Sequence, residues 1–108
     1  MLLPLIDRRD MNMTKVMLDI NDYGLMFDCM NHASDHDVCT IISTLCNVLV
    51  EACFRAAKDF KPTKYGKGHV RIDLDFEETD DNIVAVFNAV MGVMYQLQSQ
   101  HPKHVRIY

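Results

Sequence analysis

Nowhere does this 108-residue chain gather enough positive charge to neutralise a nucleic-acid backbone, because 15 acidic residues outnumber 11 basic ones for a formal charge of -4. Without that field, sequence-independent binding to phosphates lacks its main driving force, and nucleic acid is not expected as a partner. Nor is there an uninterrupted apolar run of about twenty residues, the length a bilayer-crossing helix needs. The apolar stretch Leu2 to Ile6 contains Pro4, lacks a preceding basic region and runs into Asp7, Arg8 and Arg9, which does not describe a signal peptide. A cytoplasmic protein with no membrane partner is the expectation. Repeats, low-complexity tracts and linkers are missing too. So is any Cys-x-x-Cys motif, so that Cys29, Cys39, Cys46 and Cys53 read as free thiols and not as a redox centre or a disulfide framework.

What is present is a compact apolar pattern: 49% of the residues are hydrophobic and 24% charged, enough to build one core in a chain too short to divide into two. Residues 1–12 carry no clear periodicity and read as an N-terminal extension, in which Met11, like Met13 just beyond it, offers an internal start; residues 13–108 read as a single domain. Val16, Leu18 and Ile20 alternate with Lys15 and Asp19, the period of a half-buried strand. Asn21, Asp22 and Gly24 supply turn residues, and Leu25, Phe27 and Cys29 form a second alternating run, so a hairpin is expected. From Val38 to Phe60 there is no Gly or Pro, and more than half the helical circumference is apolar, which predicts a largely buried helix.

Lys61, Pro62, Gly66 and Gly68 break that helix, and Val70, Ile72, Leu74 and Phe76 then alternate with Arg71, Asp73 and Asp75 as a third strand. Thr79, Asp80 and Asp81 resemble a helix cap with an acidic first turn. Ile83, Phe87, Val90, Met94 and Leu97 follow at helical spacing until Pro102, and Val105 and Ile107 make a short last strand. The predicted fold is α/β (α+β), with two helices packed on one face of a four-stranded sheet in the order ββαβαβ.

The chemistry is expected at Cys39. It lies about two residues into the first helix, after Ser34, Asp35 and Asp37, any of which suits the N-cap. The positive end of the helix dipole and the unpaired N-H groups there favour a thiolate, and the same N-H groups are candidates to meet an oxyanion. Cys46 and Cys53 repeat Cys39 at intervals of seven, on nearly one helical face. Successive members are roughly 10 Å apart along the axis, too far to share a zinc ion or a disulfide, so they and Cys29 read as small buried hydrophobes. No metal or other cofactor is expected.

His32 ends the second strand, and the six residues from Ala33 to Val38 are short enough to fold its imidazole back beside the helix start. A base that takes the thiol proton and later protonates a leaving amine is what a nucleophilic cysteine requires. Counted from Leu25, His32 falls on the strand face of Met26, Asp28 and Met30, so a bulge or twist at the strand end has to re-aim it. Ser43, one turn after Cys39, shares its helical face and supports the sulfur or the substrate, or else bonds a carbonyl one turn back. His36 is nearer to Cys39 in sequence but sits at the cap, where its ring can turn to solvent.

The run Asn31-His32-Ala33, then His36-Asp37-Val38-Cys39-Thr40, then Ser43, resembles the ribosomal-processing cysteine protease Prp family, whose pattern is Gly-His-Ala, a variable loop, Asp-Ile-Val-Cys-Ala and a Ser one turn on. The resemblance extends from about Lys15 to Tyr108. It implies a Cys39-His32 dyad supported by Ser43, with Asn31 at the family's Gly position and Asp35 or Asp37 taking over from its Asp. It also implies a small α/β homodimer and a protein substrate, the N-terminal extension of a ribosomal protein or, in phage relatives, a virion protein. A cysteine endopeptidase is therefore expected. The alternative is a catalytically silent, Prp-derived binding or assembly module, for which the short loop between His32 and Cys39 would be the reason. The acidic residues Asp73, Asp75, Glu77, Glu78, Asp80 and Asp81 are read mainly as a solvated strand end and helix start, with steering of a basic substrate as the functional option.

Overall fold

The computed structural model describes residues 13–108; the proposed extension 1–12 lies outside the described residues. The chain runs β1 (Thr14–Asn21), β2 (Gly24–Met30), α1 (His36–Ala56), β3 (Lys64–Gly66), β4 (His69–Asp75), α2 (Asp81–Gln100) and β5 (Val105–Ile107). The strands form one sheet in the order β3-β4-β2-β1-β5, antiparallel except for the parallel pair β1 and β5. The α+β class is as the periodicity predicted, but the sheet has five strands and not four. The additional strand, β3, is three exposed residues on the sheet edge, too short to show an alternating pattern.

Alternation along the strands decides which face is covered. Val16, Leu25, Phe27, Cys29, Ile72 and Leu74 are buried in one cluster with the inward residues of both helices. Met17, Asp19, Met30 and Asp73 point the other way and are exposed. At the centre Phe27 meets Phe87 of α2 edge to face, with centroids 5.9 Å apart, a favoured geometry for aromatic pairs. α1 buries Val38, Ile42, Cys46, Leu49, Val50 and Cys53, a stripe that places two of the three cysteines spaced by seven in the core.

Two boundaries differ from the sequence pattern. α1 stops at Ala56, because Ala57 is extended and serves as its C-cap. Phe60 is buried beyond the helix, where its ring packs edge to face on Phe54, so its hydrophobicity reports tertiary packing and not a further helical turn. β4 likewise ends at Asp75, and Phe76 is exposed in the turn that follows.

Asp35 is the N-cap of α1, its carboxylate accepting from the Val38 N-H at 3.0 Å, and that hydrogen bond holds it below the usual carboxylate range. A depressed carboxylate stabilises the fold above its unfolded pKa and stops doing so as pH falls through the folded value. Asp35→Ala is therefore expected to lower the melting temperature at neutral pH, with the gap to wild type closing on acidification below the ordinary carboxylate range. Thermal melts at several pH values check this. Two glycines give a second contrast. Gly24 pairs with Asp75 at φ +145, and a Cβ there would meet the Leu74 carbonyl oxygen at 2.0 Å, whereas a Cβ on Gly92 of α2 meets nothing within 4 Å. Gly92→Ala is expected to gain about 1 kcal/mol from helix propensity and Gly24→Ala to lose the fold, both read by denaturant titration.

Candidate active site

β2 ends at Met30, and Asn31 adopts φ 71, the left-handed region that Asn tolerates better than most residues. This one residue breaks the period of two and re-aims His32. The His32 Nδ1 lies 3.3 Å from the Cys39 Sγ, within hydrogen-bonding distance of a thiol. His36, by contrast, is the first residue of α1 and offers its carbonyl to the Thr40 hydroxyl.

Asn31 is held on both sides. Its N-H donates to the Gly68 carbonyl at 2.8 Å, and its own carbonyl accepts from the hydroxyl of Thr14, a residue only 1% exposed. Thr14 in turn donates its N-H to the His104 carbonyl, and the His104 ring shares a hydrogen bond with Ser34 Oγ. The segment from Asn31 to Ser34 is thus fastened to β1, to the β3–β4 turn and to the segment before β5.

The pair opens onto a cleft of about 230 Å³ between α1 and the β3–β4 hairpin. Cys39, Ile42, Ser43, Cys46 and Asn47 form its helical wall, and the stretch from Tyr65 to Val70 forms the other. The Tyr65 hydroxyl crosses the cleft to donate to Asn47 Oδ1 at 2.6 Å. Thr14, Tyr65, Asn47 and Gly68 were not singled out by sequence. The only signal was the pair Gly66 and Gly68, which marked a turn but not what it faces.

Of the proposed supporting residues, Ser43 and Asn31 line the cleft and Asp37 does not. Asp37 is exposed in the first helical turn, and Asp35 is occupied by capping, so neither carboxylate bonds His32 among the described residues. Thr40 and Thr44 bond back to carbonyls one turn earlier, but Ser43 makes no such bond among the described residues, leaving its hydroxyl on the cleft wall. The helix start supplies fewer free donors than its position suggested. Cys39 N-H is bonded to the Asp35 carbonyl at 3.0 Å and Val38 N-H to the Asp35 carboxylate, so neither is left over for an oxyanion.

The other thiols differ from Cys39 in their surroundings. Burial, with Glu78 adding to it, pushes Cys53 up to about 11, and a hydrogen bond with the Cys46 thiol, reinforced by burial, raises Cys29. Cys29, Cys46 and Cys53 are buried, whereas Cys39 is partly exposed. Among the described residues no cluster of three or more His, Cys, Asp or Glu side chains is arranged to hold a metal ion.

The acidic residues do not surround the cleft. β4 begins beside it at His69 and carries Asp73 and Asp75 toward the opposite end, about 20 Å away at the strand rise. They have local partners there: Asp73 takes Arg71 and Thr63, Asp75 and Glu78 bond each other's backbone N-H groups, and Asp80 caps α2. Steering of a basic substrate toward Cys39 by this cluster is therefore not supported by its placement.

No protein-family model matches the sequence, and no curated protein does. Solved structures match closely in shape. The essential ribosomal processing protease Prp from S. aureus, in complex with a covalently linked product peptide, aligns with a TM-score of 0.69 at 18% identity, over 88% of this chain and 97% of that one. The same protease in complex with a substrate peptide aligns with a TM-score of 0.60 at 16% identity, over 89% and 98%. SMU.848 from Streptococcus mutans aligns with a TM-score of 0.67 at 22% identity, over 88% and 95%. At these identities the likeness is one of architecture, and this chain has the fold of the ribosomal processing protease Prp.

Proposed function

We propose that this chain is a Prp-type cysteine endopeptidase with Cys39 as nucleophile and His32 as its general base and acid. The observation that carries this reading is the 3.3 Å contact between His32 Nδ1 and Cys39 Sγ at the edge of a cleft open to solvent. Nδ1 takes the thiol proton, and the thiolate adds to a peptide carbonyl carbon. Collapse of the tetrahedral species breaks the C-N bond, with the imidazolium giving its proton to the leaving amine. Water, deprotonated by the same imidazole, then cleaves the thioester and returns the thiol. Since the Val38 and Cys39 N-H groups are committed, donors on the cleft wall that could meet the oxyanion include the Ser43 hydroxyl and the Asn31 and Asn47 amides.

Ile42, Cys46 and Val70 make much of the wall apolar, which suits an extended peptide that inserts a hydrophobic side chain next to the cleaved bond. By analogy with the S. aureus protease, whose structures hold substrate and product peptides, the substrate is a protein from which a short segment is removed. In this reading that protein is a ribosomal protein carrying an N-terminal extension or a phage structural protein. On the same reading the enzyme acts in the cytoplasm as a homodimer, with the open sheet face and α2 as the surfaces available for pairing.

Comparison of protein N-termini in cells carrying wild-type or Cys39→Ala chains tests the activity and identifies the substrate. One or a few new N-termini are expected with wild type only, and cleavage is expected to fall at least a hundredfold in both Cys39→Ala and His32→Ala. His36→Ala is expected to change it less than twofold. Identical N-termini with every chain would favour the silent module.

A further inference from the structure

In a catalytic triad the base is oriented by a third group, usually a carboxylate that accepts from the far ring nitrogen. His32 has no such partner among the described residues. Asp28 is engaged with His69 Nε2 at 2.6 Å, Asp35 caps α1, and Asp37 does not reach the cleft. Something else has to hold the ring.

We propose that Gly68, in the turn between β3 and β4, is the positioning residue for the His32 imidazole. The proposal rests on reading Cys39 and His32 as the dyad. A Cβ built on Gly68 would lie 3.3 Å from His32 Nε2 and 3.4 Å from Cδ2. That edge of the ring is across from Nδ1, so the imidazole occupies space that the missing Gly68 side chain leaves open on the side away from the sulfur. The fit depends on the missing side chain, since contacts this short force a neighbour to move by a few tenths of an ångström. Gly68 also has φ +79, which L side chains rarely adopt, and its carbonyl accepts the Asn31 N-H that sets where His32 begins.

The turn is itself anchored. His69, the next residue, reaches to Asp28 on the neighbouring strand β2, and Gly66 pairs with His69 across the hairpin. A bare glycine thus takes the place of the carboxylate: the imidazole is located by the space beside Gly68 and by the clamp on its neighbour, without a charge on its far side. Gly66, two residues away, supplies an internal control, because a Cβ there meets nothing within 4 Å.

The test measures the rate of Cys39 alkylation by iodoacetamide against pH, read by mass spectrometry. The chains compared are wild type, His32→Ala, Gly66→Ala, Gly68→Ala and Gly68→Asn, with near-UV circular dichroism to check folding. Asn tolerates the left-handed backbone and still brings a Cβ, so Gly68→Asn separates contact from turn strain. Both Gly68 variants are expected to slow alkylation at neutral pH about tenfold and to move the profile toward that of His32→Ala, while Gly66→Ala follows wild type. A wild-type profile in folded Gly68→Asn overturns the proposal and leaves the dyad standing. Coincident profiles for wild type and His32→Ala overturn the dyad and the proposal with it. In the wild-type chain an NOE between His32 Hδ2 and Gly68 Hα is expected, and its absence overturns the proposal even where both variants fail to fold.

Discussion

The clamp on Asn31 is the constraint on which the site depends. A strand delivers side chains alternately to two faces, and an unbroken β2 would send His32 to the face opposite the helices. The left-handed turn at Asn31 prevents this, and it is held by hydrogen bonds to Gly68 and Thr14, residues from two other strand ends. Three segments distant in sequence therefore meet at one residue. Burial of Thr14 makes its bond to Asn31 costly to break, because an unpaired hydroxyl would be left inside.

Around that clamp the thiols are sorted by environment. Three of the four cysteines fill the core, where a hydrogen bond with Cys46 and burial raise Cys29, and burial and the charge of Glu78 raise Cys53. Cys39 is the one placed between helix and solvent and the one with an imidazole beside it. Charge is sorted too. The carboxylates of β4 and its following turn lie at the far end of the sheet, engaged in capping and local bonds, so the chemistry of the cleft is left to histidine, hydroxyl and amide groups.

Much of this was legible in the sequence because period-two and helical patterns survive wherever one face is buried. Phe27, Ile72 and Leu74, and the stripe from Ile83 to Leu97, all went inward as their spacing predicts. The nearness of His32 to Cys39 was also accessible, since only six residues intervene. Features set by distant contacts were not legible. β3 is too short for a pattern, Phe60 is buried after the helix has ended, and the Val38 N-H at the start of α1 is taken by a cap for which the sequence offers three candidates. The roles of Thr14, Tyr65 and Gly68 at the cleft depend on strand pairing, which periodicity does not specify.

Brief alkylation of the native protein at neutral pH, followed by peptide mapping, shows whether one thiol of the four is chemically activated by its surroundings. Cys39 is expected to be modified well before Cys29, Cys46 and Cys53, which react only after unfolding. Equal and slow modification of all four would contradict it.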